Sequence, residues 1–113
     1  MKKLKTLKKN YEFKNVLTKG KFYKGKYITI YIRKNKKQEN IIGIAISKKI
    51  GKAVKRNRIK RVVRESFRLK KDLLQNGYSI VFIWNKNAEI KEANYNNVSK
   101  DMLNLFTKAG IIQ

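Results

Sequence analysis

The sequence of 113 residues contains no cysteine and no histidine. Without cysteine the chain cannot form disulfide bonds, thiolate nucleophiles or cysteine-ligated metal sites, which is typical of a protein from a reducing compartment. Without histidine it lacks the commonest general acid–base side chain and the commonest metal ligand. The seven acidic residues are scattered and show no spacing suited to a two-metal nuclease site. These absences favour a binding protein over an enzyme.

Proline and long apolar runs are also missing. No linker, repeat or low-complexity tract divides the chain, so we expect a single domain over residues 1–113, with Met1 to Leu7 as a loose basic arm. The longest apolar runs, such as Tyr78 to Trp84, are too short to span a bilayer, and the N-terminus lacks the apolar segment of a secretory signal. We therefore expect a cytoplasmic protein.

Negative charge is scarce, because seven Asp and Glu accompany thirty Lys and Arg and give a formal net charge of +23. Such an excess repels itself unless a polyanion neutralises it. Nucleic acid is the expected partner, since phosphate neutralisation releases counterions, and a membrane surface is the lesser alternative. The lysine number alone is a weak argument, because coding bias can produce it. The arginines are more informative, since five of the six lie within residues 56–68.

Period-two patterns predict two neighbouring strands in the first half of the chain. Ile28, Ile30 and Ile32 share one face, and after a polar turn Ile42, Ile44 and Ile46 do the same, so we expect a hairpin. The opposite faces bring Tyr27 and Tyr31 beside small residues and form a shallow trough walled by aromatics. The alternative is that both tyrosines cover a second small core beneath the first helix.

Helical and buried-strand patterns fill the rest of the chain. Asn10 is a candidate N-cap and Gly20 a stop for a helix at roughly 10–19. A second helix is predicted at about 53–71, with a buried stripe of Ile59, Val62, Val63, Ser66 and Phe67. Residues 78–84 are apolar on both faces and predict a buried strand. A last helix starts near residue 95 and is closed by Gly110.

The second helix carries a basic face opposite its apolar stripe. We call this face the cationic ridge; its residues are Asn57, Lys60, Arg61, Arg64 and Arg68. A solvated charged face is the alternative, but residues 48–71 hold twelve basic residues and one acid, Glu65, which can pair with Arg61. Guanidinium groups bind phosphate bidentately and stack on bases, so the ridge suits an RNA backbone.

A glycine-containing loop precedes this helix, Ser47-Lys48-Lys49-Ile50-Gly51-Lys52. Its backbone amides can approach a phosphate at the helix start, although this signal is weak alone. The loop lacks the second glycine and the Lys-Ser/Thr of a P-loop, which excludes nucleotide hydrolysis of that type.

The run from Ser47 to Arg68, with its Arg-Asn-Arg core at 56–58, resembles the signature of the bacterial ribonuclease P protein family. The early Leu-Lys-Lys-Asn-x-x-Phe at Leu7 to Phe13 and the tyrosine-bearing strand extend the resemblance over nearly the whole chain. The resemblance implies an α+β fold, a two-layer α/β sandwich in the order αβββαβα. Its four-stranded mixed sheet would contain a left-handed βαβ crossover through the Arg-Asn-Arg helix, as in a domain of a small-subunit ribosomal protein.

The resemblance also implies the site. Residues expected to contact the catalytic RNA are Lys48, Lys49, Lys52, Arg56, Asn57, Arg58, Lys60, Arg61, Arg64 and Arg68. A cleft beside the first helix would hold the leader of precursor tRNA against Phe13 and Tyr31. The family commonly has a second aromatic where this chain has Leu17, and Tyr27 is a candidate to compensate. The resemblance further implies that magnesium ions held by the RNA perform the cleavage, so the protein has no catalytic residue, metal, cofactor or small-molecule substrate of its own.

Two other functions remain open from the residues alone. A ribosomal protein or other structural RNA-binding protein is also small, basic and devoid of catalytic groups. A self-sufficient ribonuclease using Lys, Arg and Tyr is a third possibility.

Overall fold

A computed structural model describes residues 4–113 and contains three helices and five strands over that range. In chain order the elements are β1 Lys5–Thr6, α1 Asn10–Lys19, β2 Lys21–Lys24, β3 Ile28–Lys34, β4 Ile41–Ala45, α2 Ala53–Arg68, β5 Tyr78–Trp84 and α3 Tyr95–Ala109. Short 3₁₀ helices follow β4, α2 and β5, at Lys48–Ile50, Lys71–Leu73 and Ile90–Glu92. None of the helices in the described range is long and apolar enough to cross a membrane.

The strands form one mixed sheet in the order β1-β4-β5-β3-β2. β4 lies parallel to both β1 and β5, and β3 lies antiparallel to both β2 and β5. Apart from the two-residue β1, the elements follow the expected order αβββαβα, so the sheet has one short strand more than the four expected. β4 and β5 are parallel neighbours joined through α2, as the expected crossover requires. The left hand of that crossover stays a prediction.

The predicted hairpin between the two isoleucine-rich strands is wrong, because β5 lies between β3 and β4. Five of the seven residues of β5 are buried, and the strand presents apolar side chains to both faces of the sheet. A strand with two apolar faces buries the most apolar surface when it lies between other strands. β5 accordingly occupies the centre of the sheet. β3 instead forms its hairpin with β2, which the sequence analysis did not predict.

One face of the sheet packs against α2 and α3 and holds the main core. Ile28, Ile30 and Ile32 of β3 contribute to it together with Ile42 of β4. From the helices come Ile59, Val63 and Phe67 of α2 and Val98, Met102, Leu105 and Phe106 of α3. The buried residues of α2 confirm the apolar stripe predicted for that helix, and the opposite edge of α2 faces solvent.

The other face of the sheet carries α1 over a smaller core. Leu7, Val16, Ile41 and Val81 are buried there, with Phe13, Leu17 and Tyr31 partly buried against them. Phe13 lies so close to β4 that a Cβ on Gly43 would come within 2.5 Å of its ring. Tyr31 therefore does border a second small core under the first helix, as the alternative interpretation held.

The N-terminal segment differs from the expected loose arm. Residues 1–3 lie outside the described residues. Lys5 and Thr6 form β1 beside β4, the Leu7 amide donates to the Ile42 carbonyl at 2.8 Å, and the Leu7 side chain is buried. Pairing with β4 and burial of Leu7 in the small core under α1 therefore hold residues 5–7 against the sheet.

The N-cap of α1 and the end of α2 also differ from the prediction. α1 begins at Asn10 with Lys9 as its N-cap, and the Glu12 carboxylate accepts the backbone N–H groups of Lys9 and Lys8 at 2.9 and 3.2 Å. These bonds hold the pKa of Glu12 below its ordinary value. α2 ends at Arg68 instead of residue 71, where the chain tightens into the 3₁₀ turn.

Candidate RNA interface

The cationic ridge lies on the solvent side of α2, as predicted. Asn57, Arg61, Arg64 and Arg68 are exposed and Lys60 is half-buried. Arg68 pairs with Glu65 at 3.5 Å, so the single acid of this helix pairs with Arg68 and not with Arg61, the partner that helical spacing also allows. No carboxylate within residues 4–113 forms an ion pair with the other ridge residues. Their positive charge is therefore left to solvent or to an external anion.

The start of α2 adds further cations to the ridge. Arg58 is exposed, while Arg56 is half-buried, and its Nε is buried with no hydrogen-bond partner within residues 4–113. Buried donors normally have partners, so this Nε is an exception within the described chain. The preceding loop is ordered by Ser47, whose hydroxyl accepts the Lys49 amide at 3.2 Å. The lysines of this loop, Lys48, Lys49 and Lys52, are exposed.

A recess joins the ridge to the face of the sheet that carries α1. Phe13 and Gly43 line it from one side and Lys60 and Arg64 from the other, around a volume of about 200 Å³. Phe13 thus lies beside the ridge of α2, although it belongs to a different helix. The predicted aromatic and the predicted cations meet here at the open edge of β4.

A larger groove, which we call the aromatic groove, opens on the same face beyond α1. Its volume is about 1170 Å³, and Tyr31 of β3 and Phe22 of β2 form part of one wall. Their rings lie 5.7 Å apart between centroids and are tilted by 33°. Other lining residues include Lys24, Lys26, Thr29, Lys49, Ile83, Asn85 and Lys86. The groove thus combines aromatic surface with cations from three segments of the chain.

The remaining predicted cleft residues are placed differently. Tyr27 precedes β3, stacks on Trp84 with centroids 6.2 Å apart, and packs against the main core instead of sharing a face with Tyr31. Tyr27 is therefore not among the residues that line the aromatic groove, and its role as a compensating aromatic stays a prediction. Leu17 packs in the small core under α1 and lies close to Tyr31 in the same cluster.

Phe22 is the aromatic groove residue that the sequence analysis missed. Its strand has four residues and lysine at both ends, so its apolar pattern is too short for a confident strand prediction. The sequence holds no separate signal for its role, because Phe22 reaches the groove only through the register of β2 and β3, which pairs it with Tyr31.

Comparisons with known proteins test the resemblance. The family model described as Ribonuclease P matches residues 1–110. The chain is 41% identical over 106 residues to the ribonuclease P protein component of Clostridium botulinum strain Loch Maree. The match covers 93% of this chain and 94% of that protein. It is also 41% identical over 108 residues to the protein component of Clostridioides difficile, covering 95% and 93% of the two chains.

The chain belongs to the ribonuclease P protein family. Its fold agrees with solved members of that family. The Staphylococcus aureus RNase P protein matches with a TM-score of 0.84 at 28% identity, over 98% of this chain and all of that one. The Thermotoga maritima RNase P protein matches with a TM-score of 0.83 at 32% identity, over 92% and 96%. The ridge, the recess and the aromatic groove all fall within the region matched by the ribonuclease P family.

Proposed function

We propose that this chain is the protein subunit of a ribonuclease P, which binds the catalytic RNA through the cationic ridge and the leader of precursor tRNA along the face that carries α1. The observation that carries the proposal is the ridge itself. Arg61 and Arg64 are exposed and form no ion pair within residues 4–113, and Asn57 is exposed beside them. An arrangement of unpaired guanidinium groups on a rigid helix fits a partner that supplies a row of phosphates.

The loop before α2 extends this contact surface. Lys48, Lys49 and Lys52 are exposed around the N-terminal end of the helix, where backbone amides and the helix dipole favour an anion. Arg58 is exposed and Arg56 half-buried at the start of α2, and their positive charges add to this surface. The charge at this end of the helix supports placing the RNA backbone across the start of α2.

The leader of precursor tRNA is assigned to the recess and the aromatic groove. Phe13 and Tyr31 lie on one face of the sheet, and both are only partly buried. Stacking of a base on an aromatic ring contributes about 1–3 kcal/mol and is tolerant of sequence. That tolerance suits a subunit that meets many different leaders, and the cations around both concavities suit the leader phosphates.

The chemistry is assigned to the RNA. Magnesium ions held by the RNA would hydrolyse the phosphodiester, and this chain would contribute position and electrostatics, with no catalytic residue or cofactor of its own. The cations of the ridge reduce repulsion between RNA backbones that approach each other, an effect that weakens as salt rises. We place the assembly in the cytoplasm, in keeping with a chain that contains no cysteine.

Replacing Arg56 and Arg58 together by Ala tests the assignment of the RNA surface. We expect weaker binding to the cognate catalytic RNA and a plot of log affinity against log salt that is less steep by about 2, because two phosphate contacts are lost. The measurement is a filter-binding titration at several salt concentrations. Replacing the exposed Lys100 and Lys108 of α3 by Ala removes the same charge elsewhere and should change the slope much less.

Equal effects of the two double variants would contradict the assignment of the RNA surface to α2. The function itself is tested by reconstitution, in which the purified chain should restore precursor-tRNA cleavage by its cognate RNA at low magnesium. Stable co-sedimentation with ribosomal subunits without such rescue would favour a ribosomal protein. Cleavage by the RNA-free chain would favour a self-sufficient ribonuclease.

A further inference from the structure

Phe22 presents an unusually large apolar surface to solvent for a residue in a sheet. It is 63% exposed on β2, which lies at the edge of the sheet. Lysines flank this strand at both ends, so the surrounding surface is hydrophilic. Single exposed apolar residues are common on proteins and need no explanation by themselves. Phe22 differs because of what lies next to it.

The neighbour of Phe22 is Tyr31, which is its direct partner across the β2–β3 pairing. The two ring centroids lie 5.7 Å apart with a tilt of 33°, within the range of favourable aromatic contacts. The contact with Tyr31 leaves most of the Phe22 ring open toward the aromatic groove. Two adjacent rings therefore form one wall, and the outer ring is the more accessible.

The charges around these rings suit a polyanion. Lys24 and Lys26 line the aromatic groove near the β2–β3 turn, and Lys49 and Lys86 line it elsewhere. Glu89 is the acidic residue of the lining, and Lys91 pairs with it at 3.3 Å. Stackable rings among cations are the combination by which proteins bind single-stranded nucleic acid.

The hydrogen bonds around the groove fix its rim. Asn85 donates through Nδ2 to the Gly25 carbonyl at 2.8 Å, and its Oδ1 accepts from the Thr29 hydroxyl at 2.6 Å. The backbone N–H of Asn85 also donates to the Tyr27 carbonyl at 2.8 Å. The β2–β3 hairpin is thus tied to the end of β5, so the ring of Phe22 projects from a fixed backbone.

We propose that Phe22 is a base-stacking residue of this subunit, which together with Tyr31 forms a two-ring platform for an unpaired nucleotide of the leader. The inference rests on the proposed function, because it needs a leader on this face of the sheet. It also accounts for Leu17, which supplies apolar packing beneath Tyr31 but no ring. The second ring of the groove comes from β2 and not from α1.

The test compares variants at position 22 in the holoenzyme reconstituted with cognate RNA. Phe22→Ala should weaken binding of precursor tRNA with a long leader about 5- to 100-fold and leave binding of mature tRNA unchanged. Phe22→Trp should keep the native affinity for precursor tRNA. Phe22→Leu keeps an apolar side chain without a ring, and it should lose most of the affinity that Phe22→Ala loses. Tyr95→Ala removes a 42% exposed aromatic from α3 and serves as the matched control, with no expected effect.

A spectroscopic readout separates stacking from general stability. The fluorescent base 2-aminopurine is placed at successive leader positions, and a base stacked on Phe22 should be quenched in the native holoenzyme and brighter with Phe22→Ala. Native affinity in Phe22→Ala or Phe22→Leu, with a loss in Tyr31→Ala, would overturn the inference and leave the proposed function intact. If neither Phe22→Ala nor Tyr31→Ala affects leader binding, both the platform and the leader assignment fail.

Discussion

At the scale of single residues, Asp101 ties the β2–β3 turn to the helical layer through one carboxylate. It lies on α3, is 8% exposed, and accepts the backbone N–H groups of Lys26, Tyr27 and Ile28 at 2.9, 2.8 and 2.9 Å. Gly25 lets the turn approach this closely, since a Cβ there would come within 2.5 Å of the carboxylate. The β2–β3 turn, and with it the rim of the aromatic groove, is therefore positioned from the helical layer.

Asp101→Asn is expected to lower the free energy of unfolding by about 1–3 kcal/mol, because an amide cannot accept from all the donors and leaves buried N–H groups unpaired. Urea unfolding of the purified chain followed by circular dichroism measures the change. Asp72→Asn makes the same change in net charge at an exposed position and should have a much smaller effect. Equal losses would mean that charge, and not the hydrogen bonds, gives Asp101 its importance.

At the scale of elements, α2 has one edge buried in the core and a separate edge exposed to solvent. Ile59 and Val63 are buried in the main core, whereas Arg61 and Arg64, two and one residues away, are exposed. The helical period of 3.6 residues makes this separation possible within one element. Stability and RNA binding should therefore respond to different substitutions in the same helix.

Two single variants test this separation. Ile59→Val removes one methylene group from a fully buried side chain and should lower the free energy of unfolding by about 0.5–1.5 kcal/mol, with little change in RNA affinity. Arg61→Ala should weaken RNA binding with little change in stability, because it removes an exposed cation. Urea unfolding and RNA titration are carried out on both proteins. A loss of both properties in either variant would show that the two edges are coupled.

Elements with a complete local pattern were predictable from the sequence. The bounds predicted for α1, β5 and the end of α3 agree with the structure, since each has a repeating apolar face and a glycine or polar boundary. β1 and β2 were missed because two and four residues cannot show a period. The partners of β3 and β4 were wrong because pairing depends on distant β5, although its two apolar faces already pointed to a central position.

The candidate site shows the same division between local and distant information. The faces of α2 follow from spacing alone, so the exposure of the cationic ridge was predictable. The placement of Tyr27 was not, since it precedes β3 and stacks on Trp84 from a segment far away in sequence. Phe22 joined the site only through the cross-strand contact with Tyr31. Sequence patterns thus identified which edge of α2 is exposed, but not which aromatic residues share a groove.

At the scale of the whole molecule, charge opposes folding and favours assembly. The formal net charge is +23 on 113 residues. Within residues 4–113, ion pairs join Arg68 to Glu65 and Lys91 to Glu89, both among exposed side chains. Exposed pairs contribute little, so the fold depends on its apolar core while its surface cations repel one another. A polyanionic partner would relieve this repulsion where it binds.

Added salt should therefore raise the stability of the free chain and lower its affinity for RNA. Raising potassium chloride from about 50 mM to about 200 mM shortens the range of repulsion, so the urea midpoint of the free chain should rise. Over the same range, affinity for the catalytic RNA should fall by about 10³–10⁵ if the ridge and its loop neutralise about 6–10 phosphates. Substituting potassium glutamate for chloride checks for specific anion binding, since screening depends on ionic strength alone. A urea midpoint that falls with salt would mean that favourable ion pairs, and not repulsion, dominate the surface of the free protein.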